Sequence, residues 1–418
     1  MEVRRAGLWI TGSTVLRLAA GLLAVKLIAV VCGPEGLGRL GQLMSVISIL
    51  ALLAGGGVQN GIAARLPGRR EDGSEGATVL ATAAWIGAAW TILAALTLLV
   101  ASPSLAEHLL GNPQLTWALV ALALVQPLLA FAALRSGEVI GRGESVRFAQ
   151  LSCVAIILGT LGLALATGFG GLAGAAFGLI WSAASPGIVH LFWAWRTRAK
   201  LFRPRWQRDE ALQLGRFSLM LVISALSLPV VQILLRDRMA EQVGWSEVGQ
   251  WQAVLRISES NLQFVTVMLS SWFLPRVATA LTAPALSRCV AEAYRFVVPM
   301  SVCVCLAVWL AGDWVVRLLF SREFTGAVHL LSWQLAGDCL RALAMVLGFV
   351  GMSRGNLGLH IAAEGVLAST MLWLGWWWIG ERGAQGAVQA YLATTAIYLP
   401  LCVITYLAYL RRLRSLAA

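Results

Sequence analysis

The sequence predicts an all-α polytopic membrane protein with about twelve transmembrane helices, arranged as two pseudo-symmetric six-helix bundles around a central cavity. Three observations carry this prediction. Hydrophobic residues make up 59% of the 418 and charged ones 12%, against about 25% charged in a soluble domain. The apolar residues come in runs of about 20 or more, the length needed to cross about 30 Å of hydrocarbon at 1.5 Å per residue. Short motifs also recur in the same order in the two halves of the chain.

The spans fall near 7–32, 36–65, 77–101, 114–135, 147–168, 171–195, 213–236, 247–273, 290–312, 327–351, 357–379 and 384–410. The first follows MEVRR without a small-residue cleavage site, so it reads as a retained helix. Within the second, GGGVQN (55–60) predicts a broken helix, tolerated at depth where it lines a cavity. Pro229 in the seventh removes a backbone hydrogen bond and can kink it. Short amphipathic pieces near 104–111 and 314–322 are expected at an interface. The basic segment RTRAKLFRPRWQRDE (196–210) is the expected boundary between an N-terminal lobe, 1–200, and a C-terminal lobe, 201–418.

Loop charge sets the expected orientation. One set of connections carries Arg4 and Arg5, Arg65, Arg69 and Arg70, then Arg135, Arg142 and Arg147, the 196–210 segment, and Arg411, Arg412 and Arg414. The opposite set carries only scattered arginines, among them Arg39, Arg236 and Arg238. Both termini are therefore expected in the cytoplasm.

The repeats pair LLGNPQLTWALVALALVQ (109–126) with LLFSREFTGAVHLLSWQ (318–334). They also pair GGLAGAAFGLIWSA (170–183) with GAQGAVQAYLATTA (383–396) through a shared GxxGA, and EGLG (35–38) more loosely with EVG (247–249). Two halves with an even number of spans each are parallel repeats, a transporter architecture in which substrate binds between lobes and rocking exposes it alternately.

Polar residues at membrane depth are the candidate site. The first span carries Arg17 and Lys26 and no acidic residue. A charge near the bilayer centre costs about 2.5–3.5 kcal/mol on insertion scales, so such cations line a wet cavity or bind an anion. Nine residues apart, they point to opposite sides of an ideal helix. They share one cavity only if the helix is distorted, for instance near Gly21, or if Lys26 snorkels toward the outer mouth. Gln59 and Asn60 follow the glycine break. Gln252, Arg256, Glu259 and Gln263 fall on one helix face. Gln334, Asp338 and Arg341 form a second stripe, and His360 with Glu364 a third. Local i, i+3 pairing of Arg256 with Glu259 and of Asp338 with Arg341 would neutralise those residues. Glu364, with only His360 nearby in sequence, is then the leading proton-coupling candidate, with Glu259 and Asp338 behind it.

Other chemistries find little support. The seven cysteines lie mostly in apolar segments without metal-ligand spacing, so they read as small buried hydrophobes, with no metal or disulfide expected. No HExxH, GxSxG or Walker loop is present, and no cofactor or catalytic residue is expected. The net charge of +12 lies mostly in loops, where it sets topology and does not imply nucleic acid. The WWW at 376–378 fits an interfacial aromatic belt.

The segment STVLRLAAGLLAVKLIAVVCGPEGLG (13–38), with EVGQWQ (247–252), LQF (262–264), LLFSREFT (318–325), WQLAGD (333–338) and GAVQAYLAT (386–394), resembles Wzx-type flippases of undecaprenyl-diphosphate-linked oligosaccharides. These belong to the superfamily that includes multidrug MATE exporters, and the likeness leans toward the branch serving enterobacterial common antigen synthesis. It spans nearly the whole chain in order. It implies two six-helix bundles around a V-shaped cavity and a substrate such as lipid III or an O-antigen unit, flipped from the cytoplasmic to the periplasmic leaflet. It also implies basic family positions at Arg17, Lys26 and Arg341 and acidic ones at Glu259, Asp338 and Glu364; it does not extend to Arg256. Implied partners are the lipid-linked oligosaccharide, membrane lipids, and polymerase and chain-length proteins of the same pathway. Two alternatives are a MATE-like cation-coupled drug exporter, which two cations and no acid in the first span oppose, and a polytopic glycan polymerase or glycosyltransferase, which short external loops oppose.

Overall fold

The computed structural model describes residues 2–66, 74–198, 206–354 and 357–415, with side chains left out at a few positions including Asn60 and His360. The described residues form helices α1 (Glu2–Leu53), α2 (Val58–Arg65), α3 (Ser74–His108), α4 (Thr116–Gly141), α5 (Ser145–Arg196) and α6 (Arg208–Val243). After them come α7 (Trp245–Met268), α8 (Leu274–Thr279), α9 (Ala283–Leu310), α10 (Gly312–Leu319), α11 (Thr325–Ser353) and α12 (Leu357–Ser415). In hydrocarbon every backbone N–H and C=O must be satisfied within the segment, and helices do this without partners.

Three of these helices are too long for one crossing. At 52 residues each, α1 and α5 would extend about 78 Å as straight rods, and α12 has 59 residues. Each is folded at one glycine with positive φ: Gly33 (φ 64°), Gly171 (φ 53°, ψ −132°) and Gly383 (φ 57°, ψ −135°). An L side chain rarely adopts that conformation, so glycine is required at the hinge. Each long helix thus supplies two membrane-length stretches. Helices α6 and α7 are less apolar than the other long helices and yet have membrane length, which brings the number to twelve among the described residues.

The hinges establish the internal repeat in three dimensions. Three residues past Gly171, a Cβ on Gly174 would lie 1.9 Å from the Ala166 carbonyl oxygen. Three residues past Gly383, a Cβ on Gly386 would lie 2.1 Å from that of Trp378, again eight residues upstream. The shared GxxGA is therefore one hairpin built twice. The looser pairing of EGLG with EVG also has a structural basis. A Cβ on Gly38 would meet the Trp245 carbonyl oxygen at 2.6 Å, and one on Gly249 would meet that of Pro34 at 1.8 Å. The two segments cross reciprocally, with Leu37 and Val248 wholly buried beside the glycines. The third pair also matches: 3-10 turns at Pro113–Leu115 and Arg322–Phe324 lead into α4 and α11, which bury Gln126 and Gln334.

Several sequence expectations are adjusted. The GGG run forms a 3-10 turn, Ala54–Gly57, that separates α1 from α2. The amphipathic piece near 104–111 is mostly the end of α3, whereas the one near 314–322 starts as the separate helix α10. Helix α6 runs on through Pro229. Arg135 and Arg236, assigned above to connecting loops, lie inside α4 and α6 with 2% and 1% exposure.

The chain forms two compact units. Unit 1 is Met1–Cys32 with Arg39–Pro229, and unit 2 is Gly33–Gly38 with Val230–Ala418. Unit 1 runs past the 200/201 boundary because the start of α6 packs on it. Leu214 is buried among Val58, Ile62, Leu66, Leu80 and Ala83, and Arg65 pairs with Glu210 at 3.0 Å. Residues 199–205 of the basic segment lie outside the described residues.

The glycine crossing gives a direct test. Gly249→Ala puts a methyl group into the Pro34 carbonyl and is expected to destabilise by about 1–3 kcal/mol or more. Gly348→Ala, where nothing lies within 4 Å of the added Cβ, is expected to be neutral or mildly stabilising. Thermal unfolding of the two variants in detergent compares them; equal stability would refute the close backbone contact.

Candidate functional site

A cavity of about 570 Å³ lies within unit 1. Its wall is made mostly of alanine and hydroxyl side chains from α1, α4 and α5, Ser136 among them, with Arg17, Gln59 and His190 as the other polar groups. Glycines place these groups. A Cβ on Gly137 would stand 2.8 Å from the Gln59 carbonyl oxygen, and one on Gly141 would stand 2.8 Å from the Leu66 Cβ. This i, i+4 pair of α4 lets α2 approach closely and brings Gln59 to the wall. A Cβ on Gly187 would lie 2.4 Å from the Leu128 carbonyl oxygen, so the second half of α5 sits hard against α4. One turn on, His190 reaches Ser136 of α4, with Nε2 3.4 Å from the hydroxyl oxygen and Nδ1 2.8 Å from the Pro186 carbonyl oxygen.

Arg17 is the lining's formal charge; among the described residues the wall contains no carboxylate. Lys26, half-buried on the same helix, stands outside that lining. The only non-helical residue inside α1 is Gly33, so the helix is regular from Arg17 to Lys26 and holds the two on different faces. Behind the wall, Arg135 is buried against Glu138 at 2.5 Å, and Arg142 reaches the same carboxylate at 2.6 Å. Arg135 also lies over the rings of Phe131 and Trp193.

Unit 2 holds a buried polar network centred on Asp338 of α11, which is fully buried. Its carboxylate accepts hydrogen bonds from Ser258 Oγ (2.5 Å), Tyr391 OH (3.1 Å) and Asn261 Nδ2 (3.5 Å). Gln334 Nε2 donates to Ser258 Oγ at 3.0 Å, and Asn261 also approaches the Cys305 sulfur at 3.4 Å. Gly337 makes room for Tyr391, whose ring would come within 2.6 Å of a Cβ there. Several donors offset the desolvation of a buried carboxyl.

Three expectations about pairing are corrected or refined. Asp338 is held by Ser258, Asn261 and Tyr391 and not by Arg341, because the donors from α7 and α12 converge on it. Arg341 faces Glu364 of α12 instead at 3.6 Å and lies over the Tyr398 ring. Glu364 is therefore not confined to His360 for a partner. Arg256 and Glu259 do pair locally, at 2.7 Å. The stripe of α7 is not uniform: Gln252 is fully buried, Arg256 half-buried, and Glu259 and Gln263 exposed. Neither amide atom of Gln252 has a hydrogen-bond partner among the described residues. The side chains of Asn60 and His360 lie outside the described residues.

Sequence reasoning missed Ser258, Asn261 and Tyr391 in unit 2, and Ser136 and His190 in unit 1. Ser258 and Asn261 are an i, i+3 polar pair inside a long helix, a signal that the neighbouring charges Arg256 and Glu259 drew attention away from. A lone histidine and serine on different spans carry no spacing signal.

Comparison with known proteins follows from this geometry. The family described as polysaccharide biosynthesis proteins matches residues 27–329. The lipid III flippases of Escherichia coli (strain K12) and Shigella flexneri are each 32% identical to this chain over 99% of its length and 100% of theirs. A solved inward-facing structure of a multidrug resistance MATE family transporter of the MOP superfamily aligns with a TM-score of 0.82 at 16% identity. That alignment covers 97% of this chain and 96% of the transporter.

The Asp338 network should appear in stability. Ser258→Ala takes the acceptor from Gln334 Nε2 and the shortest of three donors from Asp338, and is expected to cost about 1–3 kcal/mol. Glu259→Gln, which loses only a half-exposed pair, is expected to cost under about 1 kcal/mol. Thermal unfolding in one detergent ranks the two; a larger loss for Glu259→Gln would contradict this placement.

Proposed function

The chain belongs to the polysaccharide biosynthesis protein family, and on that premise we propose that it is a flippase for an undecaprenyl-diphosphate-linked oligosaccharide. The substrate, lipid III or an O-antigen unit, passes from the cytoplasmic to the periplasmic leaflet of the bacterial inner membrane. The physical task is to carry an anionic diphosphate and a hydrated glycan through hydrocarbon. The observation that carries the reading is Arg17 on the wall of the unit 1 cavity, without a carboxylate beside it among the described residues. A guanidinium there offsets the lost hydration of phosphate oxygens through charge-assisted hydrogen bonds. Small alanine and hydroxyl side chains leave room for sugar and water.

In this reading Arg17 and Gln59 meet the substrate in unit 1, with Lys26 and Asn60 as further contacts. Gln252, Arg256 and Arg341 act in unit 2. The cavity opens alternately to the two leaflets, both termini stay in the cytoplasm, and the lipid tail remains in the bilayer. Polymerase and chain-length proteins receive the product. Glu364, Glu259 and Asp338 are the candidate coupling groups, with Glu364 first. Among the described residues it faces Arg341 at 3.6 Å, whereas Asp338 is held by three donors.

Translocation in liposomes loaded with an undecaprenyl-diphosphate-linked glycan tests the proposal. Arg17→Ala is expected to slow flipping about tenfold or more, the loss of a charge-assisted contact of about 1.5–3 kcal/mol. Arg17→Lys should keep part of the rate, and Arg412→Ala on the exposed end of α12 should keep all of it. Full activity of Arg17→Ala would remove the cavity cation from the mechanism.

Coupling is tested in the same liposomes with an imposed pH gradient. Glu364→Gln is expected to abolish the dependence of flipping on that gradient while substrate still binds. A variant that keeps the dependence leaves Glu364 as a counter-ion of Arg341 and nothing more.

A further inference from the structure

His190 is buried in the wall of the unit 1 cavity, and nothing above uses it. Its exposure is 2%. The Nδ1 contact at 2.8 Å is with the Pro186 carbonyl, which can only accept a hydrogen bond, so Nδ1 carries a proton in either charge state of the ring. The proton that comes and goes is therefore the one on Nε2. That atom faces Ser136 Oγ at 3.4 Å, and a hydroxyl can donate to a bare nitrogen or accept from a protonated one. Both charge states of His190 are thus accommodated without moving the ring.

The surrounding charges are unequal. From α1, Arg17 lines the same cavity, and from α2 comes the uncharged Gln59. From α4 come the buried Arg135 and, one turn away, the Glu138 with which it pairs. On α5 itself, Arg147 is held by Glu144 and lies over Trp193. Among the described residues no carboxylate lines the cavity, so an imidazolium at His190 has cations for neighbours and no anion of its own there.

We infer that His190 takes up a proton on Nε2 when the phosphate group of the substrate enters the cavity, and releases it when that group leaves. The anion is the counter-ion that the wall lacks, so proton binding and anion binding favour each other. The proton comes from cavity water and returns to it; no bond other than N–H forms or breaks. The substrate then meets two cations, Arg17 and His190, where the empty cavity presents one. Release becomes easier once the proton is lost, which gives the cavity a way to let go of a group it must hold tightly. This rests on the flippase reading and adds a proton site that the coupling carboxylates do not include.

The chain has four histidines, His108, His190, His329 and His360. The triple variant His108→Gln, His329→Gln, His360→Gln leaves His190 as the only imidazole. The full chain, purified without a histidine tag and held in lipid nanodiscs with 13C-labelled histidine, is titrated with undecaprenyl diphosphate near neutral pH. The expected result is a shift of the His190 ring resonance toward the imidazolium position as the lipid binds. Affinity for the same lipid is also expected to fall by up to about tenfold per pH unit more steeply in the wild type than in His190→Gln. Titration of the phosphate itself is common to both proteins and cancels in that comparison. Binding without movement of the resonance overturns this inference and leaves the flippase reading standing. Absence of binding overturns the flippase reading and this inference together. The resonance is read on a protein that retains His190, so the test does not depend on the folding of His190→Gln.

Discussion

Close contact between a glycine Cα and a carbonyl oxygen of another helical stretch is the interaction on which the structure most depends. Within the hydrocarbon a chain cannot turn through an irregular loop, because the loop's backbone groups would lack partners. This chain folds long helices at positive-φ glycines and, at two of them, sets a second glycine on the returning arm against a carbonyl of the arm before the hinge. Gly174 on Ala166 and Gly386 on Trp378 do this in the two halves, and Gly38 and Gly249 form a reciprocal crossing within unit 2. With no hydrophobic force between helices in lipid, such backbone approach supplies dispersion contacts that larger side chains would prevent. The same device shapes the cavity wall: Gly137 and Gly141 bring Gln59 to it, and Gly187 brings His190 to Ser136.

The glycines also explain what was legible in the sequence. Span length, hydropathy and the GxxGA repeat follow from single-chain rules, so twelve helices and the hairpin repeat could be read directly. Charge position could be read less well. Arg135 and Arg236 stand near span ends in sequence, where a charge reads as a loop cation. In the structure the helices run past those points, and both guanidinium groups are buried. Arg135 has Glu138 one turn away and aromatic rings beside it, a combination that makes a buried cation tolerable. That requires knowing where the helix ends, and helix ends are the least determined feature of an apolar run.

Pairing at a distance was hidden for a different reason. The i, i+3 rule correctly joined Arg256 to Glu259, whose partners lie on one helix. It failed for Asp338 and Arg341, because each has a better partner on another helix. Three donors from α7 and α12 converge on Asp338, and Glu364 approaches Arg341. A local rule describes an isolated helix. Inside a bundle, donors from neighbouring helices compete with the local cation, and a fully buried carboxyl gains more from several short hydrogen bonds than from one pair on its own helix.

These placements separate the ionisable groups by how freely each can change state. Asp338 is committed: removing or adding charge there disturbs Ser258, Asn261, Gln334 and Tyr391 together, so its state is tied to the packing of three helices. Among the described residues Glu364 pairs with Arg341 at 3.6 Å, a contact between α11 and α12 that its change of state disturbs. His190 changes state with still less disturbance, since Ser136 can reverse its hydrogen bond and Pro186 is indifferent. A carrier that binds and releases an anion in each cycle gains from groups whose protonation costs little in packing. On that criterion the proposed proton site belongs in the unit 1 cavity, where His190 would exchange its proton with cavity water, and not in the buried carboxyl network of unit 2.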